Sequence, residues 1–391
     1  MMKKIKVGVI GAGFIGPLHI ESLRRLGFVE VVALATSGEE TAKSKSQALS
    51  IPRAYRDWRD LIEDEEIQVV QITSPNYLHF PQAKAALQAG KHVVCDKPLT
   101  ISPEESKELV DLVKEKELVG AITFNHRFYP LVQETRALLQ EKALGEKLFF
   151  IRGGFHQDWL LYDTDYNWRV EAAKGGAVRA IGDLGTHWMD LIEHITNLRV
   201  EKVLADLACF IPVRKKPKGF IQTFADQELK ATDWEEVQMD TEDMAIVLLK
   251  FSGVETRGLM TISQISAGRK CRLFYEISGS QRSVAWDSER ANELWMGHRD
   301  KPNEILIKNP SLMHSSAKKY ARYPAGHGEG FPDSHTACNR AIYEYIRQEK
   351  FKKGGEPDFP TFADGHHQQQ LCEAILQSSR QREWVKVGVS Y

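Results

Sequence analysis

Short apolar runs alternate with amphipathic stretches over roughly the first 125 residues of the chain. The runs are rich in β-branched residues and predict strands buried on both faces, whereas the stretches between them predict helices. This alternation is typical of βαβ units around a parallel sheet. The predicted strands cover residues 7–10, 29–35, 69–73, 92–95 and 119–124, and the predicted helices include 16–26, 57–62, 81–89 and 103–117. Ser102, which precedes Pro103 and two acidic residues, is the predicted cap of the last of these helices.

The pattern changes beyond residue 125, where longer runs alternate between apolar and polar positions. Such runs predict an antiparallel sheet with one face in solvent. They lie at residues 147–155, 200–210, 244–251 and 258–265. Helical periodicity returns at 333–348 and 364–381, and a short apolar run follows at 384–389.

A basic segment interrupts the second half of the chain. It reads Arg214-Lys215-Lys216-Pro217-Lys218-Gly219 and is followed by a polar stretch to about Asp243. Its composition predicts a solvated loop or arm. A contact with a neighbouring subunit is the alternative interpretation.

Length and composition favour a globular protein of two domains. The chain has 391 residues, which is too many for one ordinary core, and 42% of them are hydrophobic, 27% charged and 9% aromatic. Its formal net charge of -1 creates no global field that would attract nucleic acid or an anionic membrane. A small neutral ligand is therefore the expected partner.

Cysteine usage and hydropathy favour the cytoplasm. The five cysteines are Cys95, Cys209, Cys271, Cys338 and Cys372. They are widely spaced and form no CxxC pair, so they predict reduced thiols rather than a disulfide framework or a metal site. No signal-peptide pattern and no run of 18 apolar residues occurs, and we expect a cytoplasmic protein without a membrane span.

A glycine-rich turn, Gly11-Ala12-Gly13-Phe14-Ile15-Gly16, follows the first predicted strand and opens the first predicted helix. In this context the first glycine permits a tight turn, the second a close backbone approach to a pyrophosphate, and the third close packing of helix on strand. The helix N-terminus offers unpaired N–H groups to phosphates. The turn therefore predicts a dinucleotide site, and a loop without ligand is the alternative.

The end of the second strand bears on the choice between NAD and NADP. An acid at this position binds the adenosine ribose hydroxyls of NAD, but here Ala35 is followed by Thr36 and Ser37. The nearest cation along the chain, Lys43, fits a solvated helix face as well as a phosphate contact. Both NAD and NADP are therefore retained as the expected cofactor.

A lysine follows the fourth predicted strand, in the motif Cys95-Asp96-Lys97-Pro98. Open α/β sheets bind ligands at the carboxyl ends of their strands, which is where Lys97 lies. Partial burial and a positive nicotinamide ring would both lower a lysine pKa towards working pH. A surface lysine before a helix is the alternative.

A second group of polar residues follows Gly175-Gly176. On a helix Asp183, His187 and Asp190 stand at i, i+4 and i+7 and share one face, opposite an apolar stripe. An aspartate one turn from a histidine can orient the ring and stabilise its charged form, as a general base for a substrate hydroxyl requires. A metal pair or a structural polar cluster is the alternative.

Taken together, these motifs resemble those of the glucose-fructose oxidoreductase, inositol dehydrogenase and MocA family (Gfo/Idh/MocA), and the likeness covers nearly the whole chain. The motifs that carry it are the glycine turn, Thr73-Ser74-Pro75-Asn76-Tyr77-Leu78-His79, Asp96-Lys97-Pro98, Asn125-His126-Arg127-Phe128 and Gly175-Gly176 through Asp183 to His187. The family usually has glutamate before the Lys-Pro pair, and this chain has Asp96.

The resemblance implies an α/β fold of two domains. Residues 1–127 would form a Rossmann domain with a parallel sheet that binds the dinucleotide. Residues 128–391 would form an α/β domain with a large, mainly antiparallel open sheet that binds substrate and forms the subunit interface. A homodimer or homotetramer is implied.

The resemblance also implies roles for individual residues. Lys97 and His187 would be the catalytic pair, assisted by Asp183. With the glycine turn, Thr36 and Ser37, the cofactor contacts would be Phe14, Ile15, Thr73, Pro75, Asn76, His79, Asp96, Lys97, Asn125, Trp168 and Arg169. The substrate contacts would be Lys97, Arg127, Trp159, Tyr162, Asp183, His187 and His327.

The expected activity is that of an NAD(P)-dependent dehydrogenase acting on a secondary alcohol, or the matching ketone, of a sugar, polyol or glycoside. One alternative is a glycosidase that oxidises its substrate transiently with bound NAD. The other is a non-catalytic dinucleotide sensor. No metal and no nucleic acid partner is expected.

Overall fold

A computed structural model describes residues 4–218 and 234–388 of the chain. The chain divides into two compact units. The first contains Met1–Phe124 and His335–Gln369, and the second contains Asn125–Ser334 and Gln370–Tyr391. Each unit is built on one large sheet.

A six-stranded parallel sheet forms the centre of the first unit. Its strands are β1 (Ile5–Ile10), β2 (Val29–Ala35), β3 (Arg53–Tyr55), β4 (Val69–Ile72), β5 (His92–Cys95) and β6 (Gly120–Ile122). The order β3-β2-β1-β4-β5-β6 is that of a Rossmann fold and confirms the predicted parallel α/β domain. The three-residue strand β3 was not predicted, because Arg53–Tyr55 contains no apolar run.

Helices connect these strands and cover the sheet. They are Gly16–Arg24, Glu39–Ala48, Trp58–Glu63, His79–Gln88 and Pro103–Glu115, with a 3₁₀ turn at Asn76–Leu78. The cap predicted at Ser102 is present, because its hydroxyl accepts a hydrogen bond from the backbone N–H of Glu105 at 3.3 Å.

The segment His335–Gln369 also belongs to the first unit. It contains most of the helix Phe331–Arg347, a 3₁₀ turn at Lys350–Lys353 and the start of the helix Phe362–Gln381. Phe362 is 1% exposed in the core of the parallel sheet, and the backbone N–H of Ile122 donates to Pro360 O at 3.0 Å.

The predicted boundaries, 1–127 and 128–391, place this segment in the second domain, and in this respect the structure differs from them. Helical periodicity identified both helices correctly, but it does not tell which sheet a helix covers.

A nine-stranded mixed sheet forms the second unit. Its strands are β7 (Leu148–His156), β8 (Val200–Ala208), β11 (Met244–Phe251), β12 (Arg257–Ser263), β13 (Arg272–Gly279), β14 (Ser283–Asp287), β15 (Glu293–Gly297), β16 (Glu304–Ile307) and β17 (Val385–Lys386). Their order is β16-β15-β14-β13-β7-β12-β11-β8-β17, and all neighbours are antiparallel except β7 and β12. This confirms the predicted large, mainly antiparallel sheet.

The second unit also contains several helices and turns. They are Pro130–Gln140, Ala172–Gly175, Thr186–Thr196 and Ser315–Lys318, with a π turn at Ile181–Gly185 and 3₁₀ turns at Asn125–Phe128, Trp168–Val170 and Ser288–Arg290. Trp188 lies fully buried between helix and sheet, and its indole N–H donates to Phe274 O at 2.9 Å.

One face of the sheet is open and partly apolar. Ile246 and Leu248 of β11 and Ile305 of β16 are exposed on it. Over the described residues, no helix is both long and apolar enough to cross a membrane.

The basic segment is a strand rather than the predicted solvated loop. Val213–Pro217 (β9) pairs with Trp234–Gln238 (β10) in an antiparallel ribbon, and Arg214 is fully buried. The prediction was wrong because a charged residue can be buried when a carboxylate distant in sequence, here Asp243, pairs with it. Gly219 and the polar stretch to 233 lie outside the described residues.

All five cysteines lie in the described part of the chain, and none of them forms a disulfide, as predicted. Cys95, Cys338 and Cys372 are buried. They act as small apolar residues of the core.

We predict that Phe362→Ala lowers the free energy of unfolding by about 3–5 kcal/mol, because it leaves a cavity in the core of the parallel sheet. Urea unfolding measures this loss. The matched control is Phe149→Ala, at a phenylalanine that is 56% exposed, which should change the free energy by about 0.5 kcal/mol or less. Equal losses in the two variants would show that Phe362 is not a core residue.

Candidate functional site

The glycine turn has the geometry that a pyrophosphate requires. Gly11 has φ +99°, and a Cβ there would lie 2.8 Å from the backbone of Thr73. A Cβ on Gly16 would lie 2.5 Å from Gly11 O, whereas one on Gly13 would meet no atom within 4 Å. Gly11 and Gly16 therefore permit close packing, and Gly13 leaves open space in front of the helix N-terminus. These residues fit a dinucleotide.

Thr73 supports the turn. Its hydroxyl donates to Gly11 O at 2.8 Å, and β1 and β4 are neighbours in the sheet. Phe14, at the tip of the turn, is 59% exposed, and Ile15 is half-buried. Thr73 thus fixes the backbone, and Phe14 is the turn residue that a ligand can reach.

The motif after β4 holds two loops together. His79 is buried, and its Nδ1 lies 2.7 Å from Pro98 O and its Nε2 2.8 Å from Ser74 O. Burial lowers the pKa of His79. The ring therefore links the backbones of the loops that follow β4 and β5. Asn76 is buried and Pro75 half-buried in the same motif.

The Asp96 side chain contacts buried residues of the first unit. Its carboxylate accepts a hydrogen bond from the Thr123 hydroxyl at 2.7 Å and lies 3.9 Å from Nε2 of His19. His19 is fully buried, and its Nδ1 lies 2.8 Å from the side-chain nitrogen of Gln71. The aspartate that replaces the usual glutamate thus anchors the loop on β6, and the next residue, Lys97, is half-buried.

At the end of β2 the structure adds a cation that the sequence spacing does not reveal. The Thr36 N–H donates to Tyr55 O at 3.2 Å, so residue 56 lies beside the β2 end. The hydrogen bond from Lys43 at 2.8 Å is the main cause that lowers the pKa of Glu39, and the charge of Arg56 lowers it by a smaller amount, so Arg56 lies near Glu39. The hydroxyl of Thr36 is buried with no hydrogen-bond partner in the described structure.

In the second unit, a π turn at Ile181–Gly185 leads into the helix Thr186–Thr196, so the predicted helix over 183–190 is present. The carboxylate of Glu242 accepts hydrogen bonds from the backbone N–H groups of Arg179 at 3.1 Å and Ile181 at 2.9 Å. A buried acid therefore caps the start of this helical segment.

His187 pairs with another histidine. Its Nδ1 lies 3.2 Å from Nδ1 of His126, and both rings are buried. His126 in turn stacks on Tyr129 and meets Phe155 edge to face. An imidazole distant in sequence therefore helps to orient the His187 ring, a partner that helical spacing did not suggest.

Asp183 lies near residues that the sequence predicted to bind the cofactor or the substrate. Its Oδ2 accepts a hydrogen bond from the Gln264 side chain at 3.1 Å, and its Oδ1 lies 3.7 Å from Nε of Arg169. The Arg169 guanidinium is stacked over the rings of Trp168 at 4.4 Å and Trp159 at 5.7 Å. The structure therefore brings together an acid, a cation and two indoles.

Asp190 and Arg127 form a buried ion pair. Both Nε and Nη2 of Arg127 hydrogen-bond to the Asp190 carboxylate, at 2.8 Å for Nε. The pair fastens the helix to the turn Asn125–Phe128. Arg127, predicted to contact substrate, has a structural partner here, and Asn125 is likewise buried and donates to the Ser334 hydroxyl at 2.8 Å.

The remaining predicted substrate residues lie on loops of the second unit. Tyr162 is 65% exposed, and His327 is also exposed. The loop of His327 is held by Lys308, whose buried ammonium group bonds to His327 O at 2.8 Å and Glu329 at 2.9 Å. Both side chains can therefore be reached by a ligand.

Sequence reasoning missed His126, Gln264, Arg56 and Lys308. Each acts on a residue that is distant in sequence, as His126 does on His187, 61 positions later. The motif Asn125-His126-Arg127-Phe128 was the one signal that pointed to any of them.

Two family models match the chain. One, described as an oxidoreductase family with an NAD-binding Rossmann fold, matches residues 5–124. The other is the GFO/IDH/MocA C-terminal domain, and it matches residues 132–285.

The chain is also similar to several individual proteins. Levoglucosan dehydrogenase from Pseudarthrobacter phenanthrenivorans is 28% identical over 400 residues, which cover 99% of each chain. A solved structure of levoglucosan dehydrogenase with NADH and levoglucosan has a TM-score of 0.86, with 26% identity over 99% of this chain and 100% of that one. An NAD-binding oxidoreductase from Klebsiella pneumoniae has a TM-score of 0.85, with 27% identity and the same coverage.

The matched models occur in the family's order and account for both sheets. The first covers the strand order and glycine turn of the parallel sheet, and the second covers the helix that carries Asp183 and His187. The chain therefore belongs to the Gfo/Idh/MocA family of NAD-binding oxidoreductases.

Proposed function

We propose that the protein is a dehydrogenase that transfers hydride between NAD or NADP and a secondary alcohol, or the matching ketone, of a sugar, polyol or glycoside. The observation that carries this proposal is the group around Asp183, where a carboxylate, a guanidinium and two indoles meet beside the helix of His187. Carboxylates bind sugar hydroxyls, and indoles stack on the apolar faces of sugar rings. The similarity to levoglucosan dehydrogenase supports this substrate class.

His187 is the proposed general base. Its Nδ1 is hydrogen-bonded to His126, so it would exchange a proton with the substrate hydroxyl at Nε2. His126 fixes the ring orientation and can accept the Nδ1 proton when His187 becomes charged. A bound nicotinamide dinucleotide supplies the hydride acceptor.

Lys97 and Asp183 complete the proposed catalytic groups. The ammonium group of Lys97 can polarise a substrate oxygen or relay a proton. Asp183, held by Gln264 and Arg169, can accept a hydrogen bond from a substrate hydroxyl and so orient the sugar. The exposed side chains of Tyr162 and His327 would add specificity.

Most of the proposed cofactor contacts lie in the first unit. Gly11, Gly13 and Gly16 would hold the pyrophosphate, with Phe14 beside it. Thr36 and Ser37 would bind the adenosine ribose. Roles for Asn125, Trp168 and Arg169 towards the cofactor stay predictions.

We further propose a cytoplasmic homodimer or homotetramer. The partly apolar open face of the nine-stranded sheet, with Ile246, Leu248 and Ile305 exposed, would be covered by a second copy of the chain.

The function is tested by incubating the purified protein with NAD and NADP and a panel of sugars, polyols and glycosides. Absorbance at ~340 nm reports net hydride transfer, and product analysis reports bond cleavage. We expect reduced cofactor and a keto product. Glycoside cleavage without net cofactor reduction would instead indicate the glycosidase, and binding of cofactor without turnover of any substrate would indicate a sensor.

We predict that Lys97→Ala and His187→Ala each lower kcat by about 100-fold or more, the usual effect of removing a general acid or base. Steady-state kinetics on the best substrate of the panel measure the loss. Lys107→Ala is the control, because Lys107 is exposed and pairs with Asp111 on a helix surface. Turnover near that of the wild type in both variants would contradict the assigned roles.

We predict that the chain binds NADP as well as NAD and that Arg56 contributes to binding of the 2′-phosphate. Arg56→Ala should weaken NADP binding about tenfold, as expected for loss of a charge-assisted hydrogen bond, and leave NAD binding nearly unchanged. Isothermal titration calorimetry with each dinucleotide measures both constants. An equal loss for NAD and NADP would exclude a specific contact of Arg56 with the phosphate.

A further inference from the structure

Gln264 connects Asp183 to the interior of the second unit. It is fully buried, directly after β12, and its side-chain amide donates to Asp183 Oδ2 at 3.1 Å. Its backbone N–H donates to Asp243 O at 3.0 Å, and its carbonyl accepts from the Leu160 N–H at 3.2 Å. One residue thus contacts Asp183, the loop after Trp159 and a buried acid.

That buried acid, Asp243, is the centre of an ionic cluster. Its Oδ1 accepts hydrogen bonds from the guanidinium groups of both Arg179 and Arg214, at 2.9 Å for Arg214. Its Oδ2 accepts from the backbone N–H groups of Phe210 at 2.6 Å and Ile211 at 2.8 Å. Burial alone would raise the pKa of Asp243, but these donors outweigh it and the pKa is lowered.

The two arginines of the cluster connect it to two different segments that carry predicted substrate residues. Arg179 lies just before the π turn that carries Asp183, and the carboxylate of Glu242 caps the same turn. Arg214 donates to Leu160 O at 2.9 Å and Tyr162 O at 2.8 Å. The cluster therefore holds both the Asp183 turn and the Trp159–Tyr162 loop.

A charge buried in this way is costly unless it is fully paired, so the cluster has few alternative arrangements. Side chains that are locked by packing and hydrogen bonds keep the orientation that a reacting group needs. The Gln264 amide donates directly to the Asp183 carboxylate and so connects it to residues that contact this cluster, and Arg169 lies beside the other carboxylate oxygen.

We propose that Gln264 is a positioning residue that fixes the Asp183 carboxylate on the Asp243 cluster and so sets the orientation of the bound sugar. This inference rests on the proposed sugar dehydrogenase function. It assigns Gln264 no contact with the reacting atoms. The residue acts by holding Oδ2 of Asp183, which fixes the orientation of the carboxylate towards a substrate hydroxyl.

Two substitutions distinguish a positioning role of Gln264 from a role in packing alone. Gln264→Met keeps the length of the side chain and removes the N–H donor. Gln264→Glu is nearly isosteric and places a second carboxyl beside Asp183. When both are ionised they repel, but when Glu takes up a proton its O–H can donate to Asp183 in place of the amide.

We expect Gln264→Met to lower kcat/KM about 10- to 100-fold at all pH values, the effect of losing one charge-assisted hydrogen bond. Gln264→Glu should be impaired at high pH and approach the wild type as the pH falls, because protonation restores a donor. Arg169 lies beside Asp183, and the buried charged groups connected to this pair are Asp243, Arg179, Arg214 and Glu242. His187 follows Asp183 in the same helical segment, and its partner His126 lies in the turn Asn125–Phe128.

The experiment compares pH profiles of kcat and KM for the wild type, both variants and the control Gln281→Met, at an exposed glutamine of the same unit. Failure of the wild type to turn over any sugar would refute the proposed function. Equal profiles for Gln264→Met and Gln264→Glu, or kinetics like those of the wild type, would overturn the role of Gln264.

Amide hydrogen exchange tests the same inference without turnover. In Gln264→Met, and not in Gln281→Met, exchange should become faster around Asp183 and His187, because the tie between the π turn and β12 is lost. Unchanged exchange in this segment would overturn the positioning role whatever the substrate is.

Discussion

The substrate side of this protein depends on one constraint, the cost of burying charge. Asp243 lies in the interior of the second unit, and it is tolerated there because two arginines and two backbone N–H groups surround it. Arg127 with Asp190 and Lys308 with Glu329 meet the same requirement elsewhere in the unit. Because each pair joins segments that are distant in sequence, the pairs fix the loops that carry Trp159 and His327 and the helix that carries His187.

In the first unit, close contacts between backbone segments hold the loops at the ends of the strands in place. Gly11 has no side chain, so the turn lies against the backbone of Thr73, and the Thr73 hydroxyl closes this contact. His79 then joins the loops after β4 and β5 through two carbonyl oxygens. A dinucleotide therefore meets backbone groups at the glycine turn, and the N–H groups of the helix N-terminus there suit a phosphate.

Local signals in the sequence predicted what depends on local physics. The spacing of Gly11, Gly13 and Gly16 and the cap at Ser102 describe short-range geometry, and both are present. The basic segment at Arg214 was misread because its partner, Asp243, is 29 residues away. Hydrophobic periodicity identified the helix that begins at Phe362 but could not show which sheet Phe362 packs on. Contacts between distant segments have no periodic signature, and most of the site consists of them.

The cost of burying charge also bears on the pair of His126 and His187. The two rings lie in a buried aromatic environment that includes Tyr129 and Phe155, where an additional charge is costly. In the proposed reaction the His126 imidazole orients the His187 ring and can accept its Nδ1 proton as His187 becomes charged. In the proposed function, Asp183 would supply the negative charge that binds a sugar hydroxyl, and Arg169 and Gln264 contact its carboxylate. Proton transfer and hydroxyl binding would thus fall to separate residues of one helical segment, each with partners suited to its own charge.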